Sequence, residues 1–211
     1  MNRTSVLGML AAASTAVVLV GCSNSETPST STATATPATV AAPSGSGSTS
    51  ASSVHDDADV AFAQGMIPHH SQAVDMAGLA ADRAGDDRVK QLAASVANAQ
   101  GPEIEQLRGF LAAWGQPEAA AGTDHAGVGH SSTGGSGMMT DAQMQQLRQA
   151  RGADFDRMFL QMMTAHHEGA VEMARTELAG GRNPEAKALA QKIIDEQQAE
   201  ITTMANLLST L

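Results

Sequence analysis

The chain has 211 residues, of which 16% are charged, against about 25% in an average protein, and its formal net charge is −10. This negative charge argues against nucleic-acid binding, which normally needs a basic face to displace counterions. The single cysteine excludes an internal disulfide framework and a cysteine-rich zinc site. The 12 methionines and 7 histidines therefore carry most of the functional information.

The N-terminus has the pattern of a bacterial lipoprotein signal. Arg3 precedes an apolar run from Val6 to Val20, which is shorter than the roughly 20 residues of a membrane span. The run leads into Leu-Val-Gly-Cys, ending at Cys22, and this resembles a lipobox; an ordinary signal peptide with an incidental cysteine is the alternative. We expect residues 1–21 to be removed and Cys22 to anchor the protein by lipid, outside the cytoplasm, at the bacterial cell membrane.

Residues 22–54 form a predicted tether between this anchor and the folded part. After Cys22 they are almost entirely Ser, Thr, Ala, Pro and Gly, with one charge at Glu26. Such a composition cannot bury enough apolar surface to offset the entropy of the chain. The folded domain is therefore expected to span residues 55–211.

This domain contains an internal duplication at an offset of 97 positions. The segment 62–77 aligns with 159–174, and nine of the 16 aligned positions are identical. The similarity continues without a gap, so the repeat units are about 59–111 and 156–208. Each unit has the pattern of two helices, and two such hairpins should pack as an all-α four-helix bundle with pseudo-twofold symmetry.

The predicted helices are separated by glycine, proline and capping residues. In chain order they cover about 57–83, 87–114, 140–151, 154–178 and 184–209. Pro68 and Gly101-Pro102 occur in the first copy only, where we expect kinks. A linker of about residues 115–139, rich in Gly, Ser and Ala, joins the two copies; its His125, His130, Met138 and Met139 are either loose ion-capturing residues or part of a low-complexity segment.

A stripe of residues at 3-4 spacing recurs on the first helix of each copy. The two stripes are Asp59, Phe62, Met66, His69, Ala73, Met76 and Ala80, and Asp156, Phe159, Met163, His166, Ala170, Met173 and Glu177. If both stripes face inward, their histidines and methionines meet near the pseudo-twofold axis. His70 and His167 lie about 100° further round their helices, towards the second helix of each unit.

Thioether and imidazole together suit a soft ion, Cu(I) or its analogue Ag(I), better than Mg²⁺ or Ca²⁺. The candidate ligands are Met66, His69, His70, Met76, Met163, His166, His167 and Met173. The candidate outer partners, which would orient ligands, are Glu103, Glu200, Asp59 and Asp156. Several alternatives stay open: the methionines can be ordinary core, His70 and His167 can bind a second ion, and the two aspartates can be helix caps.

Two other functions compete with metal binding. One is a metal-independent helical interaction module, and the other is a ferritin-like metal oxidase. A di-iron bundle needs Glu-x-x-His on facing helices, and the sequence has none. An oxidase also needs an open coordination site. We therefore expect a binding protein rather than an enzyme, with the metal ion as its partner and the membrane reached through the lipid anchor only.

Each stripe contains Met-x-x-His-His-x-x-Ala-Val-(Asp/Glu)-Met and is followed by a helix with Gln-x-x-Glu-Ile. These segments resemble family 305 of the domains of unknown function, over residues 55–211. The resemblance implies a ferritin-like helical bundle, often exported, with copper or silver binding and copper resistance in some members. The resemblance carries over onto the eight Met and His positions above. We expect the protein to bind copper, with Cu(I) favoured over Cu(II) and Ag(I), for buffering, sequestration or resistance at the cell envelope.

Overall fold

The structure, a computed structural model, describes residues 52–118 and 137–211. The predicted signal, most of the tether and most of the linker lie outside these residues and stay predictions. Within the described ranges the helices are α1 (Asp57–Gly78), α2 (Ala80–Arg83), α3 (Asp87–Trp114), α4 (Asp141–Gln149), α5 (Gly152–Gly180) and α6 (Pro184–Leu208). None of the helices in these ranges is long and apolar enough to cross a membrane.

Side chains that cap the backbone explain where the helices begin. The Asp56 carboxylate accepts the N–H groups of Ala58 and Asp59, at 3.0 and 3.3 Å, while Asp59 accepts from the Asp56 N–H. Thr140 opens α4 through a capping box with Gln143. At the start of α6, Asn183 accepts from the Ala186 N–H at 2.8 Å, and Pro184 follows at the first turn.

The first predicted helix is divided in the structure. The observed α1 ends at Gly78, and the chain continues after Leu79 as the short α2. The second copy has Arg175 in place of Gly78, and α5 runs unbroken through this point. A glycine inside a helix costs about 1 kcal/mol relative to alanine, and Gly78 is the residue at which α1 ends. Helical conformation continues through Pro68 in α1 and Pro102 in α3.

The four long helices pack as two antiparallel hairpins, α1 with α3 and α5 with α6, joined along α1 and α5. The all-α fold predicted from the sequence is confirmed. At one end of the α1–α5 seam, the Asp156 carboxylate accepts the N–H groups of Gly85 and Asp86 at 3.0 Å. At the other end, Asp59 accepts those of Arg182 and Asn183. Each hairpin therefore supplies a carboxylate that holds the turn of the other.

The apolar core is divided into two clusters along the bundle. One contains Met76, Met163 and the stacked rings of Phe155 and Phe159, and the other contains Met66, Leu107 and Ile193. Between them, all four long helices contribute polar side chains, which we name the polar layer. The polar layer consists of His69, His70, Gln100, Glu103, His166, His167, Gln197 and Glu200.

Replacement of Asp156 by alanine should destabilise the fold, because two backbone N–H groups lose their acceptor, which is a buried carboxylate. We expect a loss of about 2 kcal/mol in the free energy of unfolding, measured by urea denaturation. The control is Asp154→Ala, an exposed carboxylate in the same turn, which should change stability by less than about 0.5 kcal/mol. Equal effects of the two changes would contradict the role given to Asp156.

Candidate metal centre

The centre of the polar layer is a pair of imidazoles from the two copies. The rings of His69 and His166 lie 3.8 Å apart between their centroids, across the α1–α5 seam. His70 and His167 follow on the same helices, each 6.4 Å from its neighbour's ring. All four side chains are at most 1% exposed. The duplicated sequence thus brings four buried histidines together at mid-height of the bundle.

Carboxylates orient the outer two histidines. The Glu103 carboxylate lies 2.8 Å from Nε2 of His70, and the Glu200 carboxylate lies 2.7 Å from Nε2 of His167. An ionised carboxylate can only accept, so each imidazole donates its Nε2–H, and the neutral form of the ring has its lone pair on Nδ1. Both Nδ1 atoms are buried without a hydrogen-bond partner. A carboxylate that fixes the tautomer in this way is typical of metal-binding histidines.

The His166 side chain is fully buried, and neither of its ring nitrogens has a hydrogen-bond partner. Burial, followed by the neighbouring His69, His167 and His70, lowers its pKa to about 2. The ring is therefore neutral at any physiological pH, and protons do not compete with a metal ion for its lone pair.

Lys192 makes the two halves of the layer unequal. Its ammonium group donates to Glu103 at 2.7 Å and also pairs with Glu196 at 2.7 Å. Burial raises the pKa of Glu103, but the hydrogen bonds from His70 and Lys192 outweigh it, so that the pKa lies below its ordinary value. Ser95 occupies the equivalent position in the first copy. Sequence reasoning missed Lys192 because this residue does not recur.

Two glutamines complete the layer. Gln100 is 2% exposed and neither of its amide atoms has a partner, and the Oε1 atom of Gln197 is also unpartnered. Each buried polar group left without a partner costs about 1–3 kcal/mol. The signal for these residues was present in the sequence, where Gln100 and Gln197 recur three residues before the two glutamates.

The four candidate methionines flank the polar layer on both sides. Met66 and Met173 pack in one apolar cluster, and Met76 and Met163 pack in the other. The chain makes room for Met173 at Gly65, where an added Cβ would lie 3.0 Å from the Met173 Cε. Within residues 52–118 and 137–211, no three His, Cys, Asp or Glu side chains form a ready coordination set.

The structure places Asp59 and Asp156 at the ends of the seam, where they accept backbone N–H groups. Each is ten residues before the first histidine of its pair, or about 15 Å along the helix axis. Glu177, at 1% exposure, lies beside Asp59. Burial, and then Asp59, raise the pKa of Glu177 to about 8. Burial likewise opposes ionisation of Asp59, but backbone N–H groups hold its pKa below the ordinary value.

Of the linker residues with metal-binding side chains, His125 and His130 lie outside the described residues. Met138 and Met139 are described, and Met139 is packed against the cluster that contains Met163. Met139 is itself a buried member of this cluster, and Met138 is half-buried.

Residues 59–208 match the family described as Domain of unknown function (DUF305). The chain belongs to the DUF305 family. A solved DUF305 structure from Streptomyces coelicolor, described as a candidate secreted protein, is 34% identical, with a TM-score of 0.65 over 72% of this chain and 91% of that one. CopM in its Cu(II)-bound form is 31% identical, with a TM-score of 0.61 over 72% of this chain and 96% of that one. CopM is also solved with Cu(I) and with Ag.

A curated relative, the uncharacterised protein L153 of Acanthamoeba polyphaga mimivirus, is 40% identical over 53 residues. The match covers 25% of this chain and 35% of that protein. This stretch is as long as a single repeat unit.

Glu177→Gln should remove a pH dependence of stability. Because the folded state keeps a proton on Glu177 that the unfolded carboxyl releases above its ordinary pKa of 4.5, folding takes up a proton between about pH 4.5 and 8. Wild-type stability should fall as pH rises through this window and stay low above it. The neutral amide should flatten this slope, so that the variant gains stability relative to wild type at pH 9. Urea unfolding from pH 5 to 9 measures it, and parallel curves would refute the assignment.

Proposed function

We propose that this protein binds copper in the polar layer, with Cu(I) favoured and Ag(I) as its analogue, for buffering or sequestration at the cell envelope. One observation carries the proposal: imidazoles from both copies are buried together, and ring nitrogens of His70, His166 and His167 have no hydrogen-bond partner. A protein core normally satisfies such groups. A metal ion would satisfy them at the place where the duplicated helices meet.

The donor set selects the kind of ion. The layer offers imidazole nitrogen, and the apolar clusters on either side offer thioethers one helical turn away, at Met66 before His69 and at Met163 before His166. Soft ligands of this kind suit Cu(I) and Ag(I), whereas Mg²⁺ and Ca²⁺ take oxygen. Thioethers also bind without releasing a proton, so that affinity should depend little on pH.

The similarity to CopM supports this choice, because that protein is solved with Cu(I), Cu(II) and Ag. The proposed role needs binding alone and assigns no catalytic residue. The lipobox-like segment ending at Cys22 supports an exported, membrane-anchored protein that meets metal outside the cytoplasm.

The copper proposal predicts that a double change, His69→Ala with His166→Ala, weakens Cu(I) binding by more than about 100-fold. A Cys22→Ser background removes the thiol, which would itself bind Cu(I). A competing chelator of known affinity measures binding. The matched control is His55→Ala, because His55 stacks on Trp114 at 5.0 Å and lies outside the polar layer. Unchanged affinity in the double variant would overturn the site.

A second double variant tests the same site with substitutions that should not cause misfolding. Met66→Leu with Met163→Leu nearly conserves volume, so it should cost little stability. If the two methionines were only core, Cu(I) affinity would stay unchanged. The proposal requires a loss of about tenfold or more, with wild-type helicity by circular dichroism.

Anchoring gives a separate prediction. Cys22→Ser should move the protein from the detergent phase to the aqueous phase when expressing bacterial cells are extracted, because the lipid attachment site is gone. Immunoblots of both phases measure the shift. A serine variant that stays with the detergent phase would contradict lipidation at Cys22.

A further inference from the structure

A short segment of the linker lies across the seam between α1 and α5. Gln72, on α1, makes two hydrogen bonds to the backbone of Met139: it accepts from the Met139 N–H at 2.7 Å and donates to the Met139 carbonyl at 2.9 Å. One side chain thus holds both backbone groups of this residue. Met139 is also buried to 9% exposure, so this end of the segment is fixed to the bundle.

The other end of the segment rests on α5. Gly137 has a φ of +76°, in the left-handed region, and a Cβ built on it would collide with the carbonyl oxygen of Ala165. The same Cβ would lie 3.2 Å from the Cα of His166. Only glycine meets both the backbone angle and this close approach without strain. The segment Gly137–Met139, which we name the strap, therefore touches α5 beside His166.

The two attachment points lie at the height of the central imidazole pair. Gln72 is three residues after His69, about 4.5 Å along α1, and Gly137 contacts the backbone of His166 itself. The rings of these two histidines face each other across the seam. The strap therefore covers the outer side of the seam where the pair lies, and both rings are almost fully buried.

We propose that Gln72 is a positioning residue that fastens the strap over His69 and His166, and that release of the strap controls the exchange of a soft metal ion with this pair. The proposal rests on the proposed copper function. It explains how a fully buried donor set can exchange ions, because a short segment held by two side-chain hydrogen bonds and the packing of Gly137 and Met139 covers the pair. An ion does not need the bundle itself to open.

The first test needs no metal. Diethyl pyrocarbonate acylates accessible neutral imidazoles, and peptide mass spectrometry reports the rate at each histidine. Gln72→Ala should raise acylation at His69 and His166 by about tenfold, the factor expected when one or two net hydrogen bonds are lost. Gly137→Ala should act in the same way by lifting the strap from α5. His55 serves as the internal standard, with equal rates throughout.

The matched control is Gln64→Ala. Gln64 lies eight residues earlier on the same helix, and its amide also holds the linker, at the carbonyl of Pro117 at 2.8 Å. Its loss should leave the rates at His69 and His166 unchanged. Equal rates in wild type, Gln72→Ala and Gly137→Ala would overturn the proposal, as would an equal increase in Gln64→Ala.

The second test measures Cu(I) exchange in the Cys22→Ser background by stopped-flow transfer to a chelator. Gln72→Ala should raise the binding and release rates by about the same factor, near tenfold, and keep the affinity within about twofold. Gln72→Glu, which keeps the acceptor and loses the donor, should fall between. Unchanged rates, or a change in affinity that comes from one of the two rates alone, would overturn the gating role and make Gln72 a merely structural residue.

The exchange experiment also distinguishes metal entry beneath the strap from metal entry through the opposite face of the bundle. There, Lys192 on α6 forms an ion pair with Glu103 on α3, and Glu103 belongs to the polar layer. If Lys192→Ala accelerates exchange and Gln72→Ala does not, the strap proposal fails. If wild type binds neither Cu(I) nor Ag(I), the copper function fails, and the acylation test still decides whether Gln72 fastens the cover.

Discussion

The structure depends on one unfavourable arrangement, the burial of four histidines in the middle of an otherwise apolar bundle. The polar layer divides the core into two clusters, so each hairpin has to bury apolar surface above and below it. The protein provides hydrogen bonds for only part of the layer: two carboxylates serve His70 and His167, while both nitrogens of His166 have none. Large apolar clusters at both ends offset this cost, and the nitrogens left without partners are the basis of the proposed copper site.

Contacts at the two ends of the α1–α5 seam align the two hairpins with each other. Asp156 and Asp59 each accept backbone N–H groups from the turn of the opposite hairpin. These buried contacts fix the register of α1 against α5. Register decides whether His69 meets His166 or an apolar residue one turn away, so contacts about 15 Å from the histidines determine the geometry of the centre.

Much of this could be predicted from the sequence. The duplication and the helical spacing of the stripes gave the two hairpins and the inward face, because a repeated amphipathic pattern has few ways to bury itself. Features that occur in only one copy could not be predicted from the duplication. Lys192 and Glu177 have no equivalent in the first copy, and the contact of Gln72 with Met139 joins residues that are 67 positions apart. The break at Leu79 is local, but glycine inside a helix is a weak signal on its own.

Lys192 also shows what a tandem chain can do that a dimer of hairpins cannot. In a symmetric dimer both glutamates of the layer would carry a lysine partner, or neither would, because one sequence builds both halves. The fused chain pairs Glu103 with Lys192 and leaves Ser95 at the other position. Duplication followed by fusion therefore lets each half acquire its own charges, so two equivalent glutamates can have different ion-pair partners within a single fold.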